Sequence, residues 1–274
     1  MKTVSDIYSL IKQSEMNDWV GGSDPEAVGN ACYGILDRYI TINETSRLLD
    51  FGCGIGRVLL SVLSHRPTAG HITGFDIMPQ VIQFCNAHIS PTFLNTSFEL
   101  IGGTNDHYDQ FIEASNDRTA ISRDQIYSRY QNKFTAAYAF SVFTHVEKLD
   151  FSSLLTLVEK LLVPGGEFLF TAFLLTPYSR KAITNEMCLF PFGKQGYENN
   201  NQVFIGNGTD RLGFIAFDLS LVETMIFEAG LIITHIEHGA WTGSEFSSSL
   251  QDVIVCRKPK IRTKKVELVP IVSR

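Results

Sequence analysis

Asp50, Gly52, Gly54 and Gly56 alternate along RLLDFGCGIGRVLL, the run from Arg47 to Leu60, and a carboxylate beside glycines at this spacing is a ligand-binding pattern. Glycine lets a backbone fold back on itself and come close to a bound molecule. An acid two positions ahead of the first glycine suits a ligand that carries an amino group. A dinucleotide motif differs, because in G-x-G-x-x-G the helix start faces a pyrophosphate and the last glycine packs helix against strand. Here the third glycine comes one residue early, and Arg57 stands where that motif has glycine. The turn therefore favours S-adenosylmethionine, whose methionine end offers an ammonium and a carboxylate, over a nicotinamide cofactor; alone it leaves both open. Its candidate contacts are Asp50, Gly52, Cys53, Gly54, Gly56 and Arg57.

Further along, HITGFDI carries Asp76, 20 residues beyond Gly56. A carboxylate at the end of a second strand accepts hydrogen bonds from the ribose hydroxyls of an adenine cofactor. Asp76 and its neighbour Ile77 are the candidate ribose contacts, and a surface aspartate capping the next helix is the plainer alternative. In the polar stretch GGTNDHYDQ, Asn105, His107 and Tyr108 are candidates to meet an adenine, Asn105 first among them. Phe140 and Ser141 close a fourth strand, KFTAAYAFSV, and His145 follows it. Ligands of open α/β sheets bind beyond the carboxyl ends of the strands, which points Ser141, Phe143, Thr144 and His145 to the reaction region, with Phe140 and Ser141 the candidate cofactor contacts there. With an unperturbed pKa near ~6.5, His145 is the candidate catalytic base. A capping or substrate-positioning role is its alternative, and His107 and His238 are weaker candidates.

The elements that must position these residues alternate strand and helix. Leu48, Leu49 and Phe51 mark a buried first strand, Val58 to His65 a helix, His71 to Ile77 a strand, and Pro79 to Ile89 a helix; Ser97 to Ile101 is a short third strand. Lys133 to Val142 is the fourth, followed by a helix that Asp150 is expected to cap, and Glu167 to Phe173 is the fifth. Such alternation predicts a doubly wound parallel sheet. LIITHIEH and DVIVCRK, joined by a loop and not by a helix, predict an antiparallel pair at one edge. Between them and the fifth strand lies a helix, LVETMIFEA, with Ser220 and Glu223 as an expected capping box. The fold expected is α/β and Rossmann-like: seven strands, the last antiparallel, with N-terminal helices over 1–40 packing near the cofactor mouth. Asp24 and Pro25 open the second of those helices.

Residues 176–215 interrupt the alternation with Tyr178, Phe190, Phe192, Tyr197, Phe204 and Phe214 among Asn185, Asn199, Asn200, Asn201 and Asn207. Placed after the fifth strand, this insertion reads as a substrate lid, and rings that stack beside amides that hydrogen-bond suit a polyhydroxylated acceptor such as a sugar. A lid that only shields the site from water has the same composition.

Composition removes several classes. No apolar run reaches the roughly 18 residues of a membrane span, and the N-terminus lacks a signal peptide's apolar centre, so a cytoplasmic location is expected. Five widely spaced cysteines without a C-x-x-C pair argue against a disulfide framework or a zinc site, and no metal is expected. A net charge of -6 disfavours nucleic acid. The one basic run, Arg257 to Lys265, opens a tail over 259–274 that follows a single domain over 1–258.

With these pieces in place the chain resembles a class I S-adenosylmethionine-dependent methyltransferase from about Trp19 to Lys258. The resemblance rests on LLDFGCGIGRVLL, GFDIMPQVIQFC, FSVFTHV, LLVPGGEFLFTAFLL and HGAWTG followed by LQDVIV. The last of these suggest a subgroup in which SVFTH follows strand four and a G-x-W-x-G and a Q-D pair precede the final strand. Where that subgroup has a Y-N-P-type turn, this chain has Tyr108-Asp109-Gln110. The resemblance implies a small-molecule or glycan acceptor and makes a homodimer a common arrangement. Neither a D/N-P-P-Y/F motif nor a P-C nucleophile is present to direct the chemistry to a DNA base.

The mechanism expected is in-line attack of an acceptor oxygen on the sulfonium methyl, with alignment and a base supplied by the protein. Trp241, Gln251 and Asp252 read as structural, since a buried indole needs a partner and a Q-D pair can tie down a loop. A catalytically silent cofactor-binding protein on the same fold is the second reading, because a cofactor site does not prove turnover. A dehydrogenase is the third.

Overall fold

The computed structural model describes residues 2–103, 120–194, 196, 197, 200–206, 210, 212–245 and 247–260. Apolar runs with no polar alternation form the middle of its sheet, as strands buried on both faces must. β1 (Arg47–Phe51) lies between β2 (His71–Asp76) and β4 (Phe134–Ala139), parallel to both. β3 (Thr96–Leu100) extends the sheet beyond β2, and β5 (Leu162–Leu175) extends it beyond β4. Leu48 faces one layer of helices and Leu49 the other, so β1 is enclosed from both sides.

The first layer holds α1 (Val4–Lys12), α3 (Pro25–Tyr39), α4 (Arg57–His65) and α5 (Pro79–His88), packed through Ile11, Leu36, Leu59 and Val81. A short α2 (Met16–Trp19) joins the first two. The second layer holds α6 (Arg123–Tyr130), α7 (Lys148–Leu161) and α9 (Leu219–Glu228), packed through Ile126, Val158 and Ile226. Asp24 caps α3 as expected, its Oδ1 accepting from the N–H groups of Glu26 and Ala27 at 3.1 Å each. Two caps differ from expectation. Glu147 precedes α7, which leaves Asp150 inside the first turn. Asp218 caps α9, its Oδ1 accepting from the Ser220 N–H at 3.0 Å, where the sequence suggests Ser220 itself. At α9 a carboxylate two residues upstream reaches the helix start first, whereas Glu147 makes no side-chain cap hydrogen bond.

The described residues form nine strands, two more than expected. Both additions come from the stretch after β5: α8 (Pro177–Thr184) and β6 (Val203–Ile205) lie within 176–215, and β7 (Ile215–Asp218) begins at its end. β5 is long enough to hold two partners on one side. Residues Glu167 to Ala172 pair antiparallel with β9 (Asp252–Arg257), and Phe173 to Leu175 pair parallel with β7. β8 (Ile232–Glu237) then pairs antiparallel with β9, which gives the expected closing pair.

The phenylalanine rings of the insertion pack together. Phe192 stands 5.4 Å from Phe173, 5.2 Å from Phe214 and 5.3 Å from Trp241, each edge to face. With Phe190 and Phe204 they form a separate small core, the arrangement that aromatic quadrupoles favour.

Candidate functional site

At the carboxyl ends of β1, β2 and β4 lies a cavity of about 460 Å³, within the usual ~300–1,000 Å³ of small-molecule sites. Its floor is the turn after β1. Gly52 has φ +74°, and a Cβ there would meet Val142 Cγ2 at 2.3 Å, so only glycine fits. The N–H groups of Gly52 and Cys53 both donate to Phe75 O, at 2.8 and 3.0 Å, which docks the turn onto β2. Gly56, at φ +83°, starts α4 and does not line the cavity.

Asp50 lines the cavity from β1 and is buried. Burial pushes its carboxyl up to about 8, and the negative charge of Asp76 adds to the rise. The Tyr138 hydroxyl, opposite Asp50 on β4, offsets part of it. Asp50 Oδ2 and the Tyr138 hydroxyl are nonetheless both without a hydrogen-bond partner of good geometry among the described residues. A buried carboxylate oxygen without a donor costs free energy unless a ligand supplies one.

Asp76 ends β2 and is buried as well. Its Oδ2 accepts the Gly54 N–H at 2.8 Å and its Oδ1 the Met78 N–H at 2.9 Å. Burial raises its pKa while these backbone donors, and that of Ile77, oppose the rise. Each oxygen keeps further acceptor capacity toward the cavity, which Ile77 and Met78 also line. Cys53 lines the cavity, and burial raises its thiol. The Arg57 guanidinium reaches back to the carbonyls of Gly22, at 3.2 Å, and Val20, fastening the α2–α3 connection over the turn. Val28 and Cys32 of α3 complete that side.

Phe140, Ser141 and Val142 form the wall after β4. His145 does not line the cavity. Its Nδ1 donates to Leu212 O at 2.9 Å, and Ile215 N–H donates to Thr144 O at 2.8 Å, so this loop is pinned to the insertion. Asn105, with His107 and Tyr108, lies outside the described residues. No described residue of 176–215 lines the cavity; of the rings expected to stack on an acceptor, Phe190, Phe192, Phe204 and Phe214 are in their own core, Tyr197 packs on the main core and Tyr178 is exposed.

The structure adds wall residues that the sequence reading did not single out. Arg123 and Ile126 come from α6, and Asp150, Ser153, Leu154 and Leu157 from α7. The four on α7 recur at helical spacing, which marks a common face but not what that face meets. Trp241 is fully buried and its indole N–H donates to Asp252 Oδ2 at 2.8 Å, in keeping with a structural role. Among the described residues, no group of three or more His, Cys, Asp or Glu side chains is placed to hold a metal ion.

Comparison with known proteins follows the same lines. A family described as methyltransferase domain matches residues 28–200. Among solved structures, the S-adenosylmethionine-dependent methyltransferase of Mesorhizobium loti is 18% identical with a TM-score of 0.51, over 84% of this chain and 99% of that one. The 1,6-didemethyltoxoflavin-N1-methyltransferase of Burkholderia thailandensis, solved with its substrate and S-adenosylhomocysteine, is 14% identical with a TM-score of 0.53, over 93% and 87%. A chain of the Haloferax volcanii complex between the Trm112 methyltransferase activator and a methyltransferase is 13% identical with a TM-score of 0.54, over 89% and 98%. At these identities the likeness is one of fold.

Proposed function

The chain belongs to the methyltransferase domain family, and on that footing we propose that it transfers a methyl group to a hydroxyl of a small-molecule or saccharide acceptor. Its cofactor is S-adenosylmethionine. When bound, that cofactor supplies a methyl group on a positively charged sulfur, already activated for transfer.

The observation that carries the reading is the buried Asp50, with one oxygen unpartnered, beside a glycine turn that no other residue fits. An ammonium would satisfy that oxygen and favour the carboxylate form. Asp76 would hold the ribose hydroxyls, with Ile77 and Met78 alongside. Phe140, Ser141 and Val142 would exclude water from the wall nearest the acceptor.

An alcohol acceptor must lose a proton as it reacts. His145 is the proposed base: the bond from its Nδ1 to Leu212 O fixes one tautomer and makes Nε2 the basic nitrogen. Asp150, which lines the cavity where His145 does not, is the alternative. Since no described ring of the insertion lines the cavity, a saccharide is no better supported than another small hydroxylated molecule. No described helix is long and apolar enough to cross a membrane, and we place the reaction in the cytoplasm.

The test is transfer of labelled methyl into fractionated extract of the source cells, with an Asp76→Ala protein as control. Label in a low-molecular-weight or carbohydrate fraction, lost in the control, supports the proposal; label only in protein or nucleic acid overturns the acceptor class. Binding of S-adenosylhomocysteine without transfer to any fraction would favour a silent cofactor-binding protein. Binding of NAD in place of S-adenosylhomocysteine would refute the cofactor.

A further inference from the structure

Ser141 has φ +58°, a left-handed backbone that residues other than glycine rarely adopt. It also lines the cavity, between Phe140 and Val142. Such a conformation persists only where its surroundings hold it. Two groups do so here. The Ser141 N–H donates to Oγ1 of Thr171, a buried residue of β5, at 2.9 Å. The Ser141 hydroxyl accepts from Gln251 Nε2 at 2.9 Å and donates to Gln251 Oε1 at 3.2 Å.

Gln251 is itself anchored. The next residue, Asp252, accepts the N–H groups of Leu174 and Gly239 and the indole N–H of Trp241, at 2.7, 2.8 and 2.8 Å. Gly239 sits so close that a Cβ there would lie 2.4 Å from the Gln251 carbonyl carbon. The start of β9 is therefore fixed on its own account, and the Gln251 side chain extends from it to a residue 110 positions away in the chain. What it grips is the wall that meets the glycine turn, where Val142 occupies the space a Cβ on Gly52 would need.

We infer that Gln251 is a positioning residue: it holds Ser141 in its left-handed conformation and so sets the wall from Phe140 to Val142 against the glycine turn, which tunes cofactor affinity. This rests on the cofactor assignment above. The predicted signature is dependence on the residue at 141. Glycine adopts a positive φ without support, so a chain with glycine there should no longer need the clamp.

The experiment is calorimetric binding of S-adenosylhomocysteine to the wild type, Gln251→Ala, Ser141→Gly and the double variant, with thermal midpoints of all four. Gln251→Ala should weaken binding roughly tenfold in the wild-type background, the worth of a lost hydrogen-bonded clamp, and less than about threefold in the Ser141→Gly background. Gln251→Glu keeps an acceptor for the hydroxyl and should bind within about threefold of wild type, which guards against a misfolded alanine variant. An equal penalty in both backgrounds, or a lowered midpoint with unchanged affinity, would mean that Gln251 only tethers β9 and would overturn the inference. A wild type that fails to bind S-adenosylhomocysteine would remove the cofactor assignment and this inference with it.

Discussion

Asp50 concentrates the site's chemistry in one carboxyl group. Its pKa is pushed up to about 8 by burial, against ~3.9 in an unfolded chain. Below pH ~4 both states hold the proton; above it the unfolded chain loses its proton first, so this group's contribution to stability falls as pH rises toward 8. Asp50→Asn should therefore melt above wild type at pH 8, and thermal scans at pH 5 should show that advantage shrinking. The same substitution should weaken S-adenosylhomocysteine binding by roughly tenfold or more, since an amide does not pair with an ammonium. Wild-type affinity should rise from pH 6 to pH 8 as Asp50 ionises, by at most about tenfold per pH unit; a flat calorimetric profile would contradict that linkage. Replacing His145 with Ala should lower turnover roughly 10²-fold or more with cofactor affinity unchanged. Near-normal turnover would pass the role to Asp150.

At the scale of elements, the short β9 binds several parts of the fold together through one side chain. Asp252 is buried and takes three buried N–H donors, from the end of β5, from Gly239 and from Trp241, besides the His238 ring at 3.2 Å. Asp252→Ala would leave all three without their partner, and each buried donor left so costs ~1–3 kcal/mol. We expect a loss of about 3 kcal/mol or more in urea unfolding; a loss under about 1 kcal/mol would show that water or rearrangement replaces the carboxylate. The G-x-W-x-G and Q-D pieces were recognisable in sequence because they are local. Which partners they meet was not, since Leu174 lies 78 residues from Asp252.

At the scale of the whole molecule, the described insertion after β5 joins the sheet, and none of its described residues lines the cavity. β6 and β7 add to the far end of β5, and Phe173, Phe192, Phe204 and Trp241 fill the space between this addition and the C-terminal turn. Stability and cofactor binding should separate here. Phe192→Ala should cost about 3 kcal/mol of stability, as buried Phe truncations do, while S-adenosylhomocysteine affinity stays within about twofold. A large loss of affinity in a folded Phe192→Ala protein would restore the insertion to the cavity as a lid.

The cofactor pattern was legible in the sequence because short-range spacing dictates it. Strand, glycine turn and helix follow one another over residues 47–65, and an acid at the end of the next strand must arrive beside them once parallel pairing is granted. The parallel pairing of strands through β5 followed from the same alternation. Other features waited for the tertiary structure because they depend on which side of an element a residue faces, or on strands too short to show a period. Aromatic rings and amides in 176–215 have the same composition whether they line a cavity or pack into a core. β6 has three residues and β7 four; β7 takes the edge that β5 offers by running on to Leu175, and β6 pairs with β7 in turn. Serine gives no sign in sequence of a positive φ, so the strain at Ser141 and the glutamine that holds it emerge only when β4, β5 and β9 are brought together.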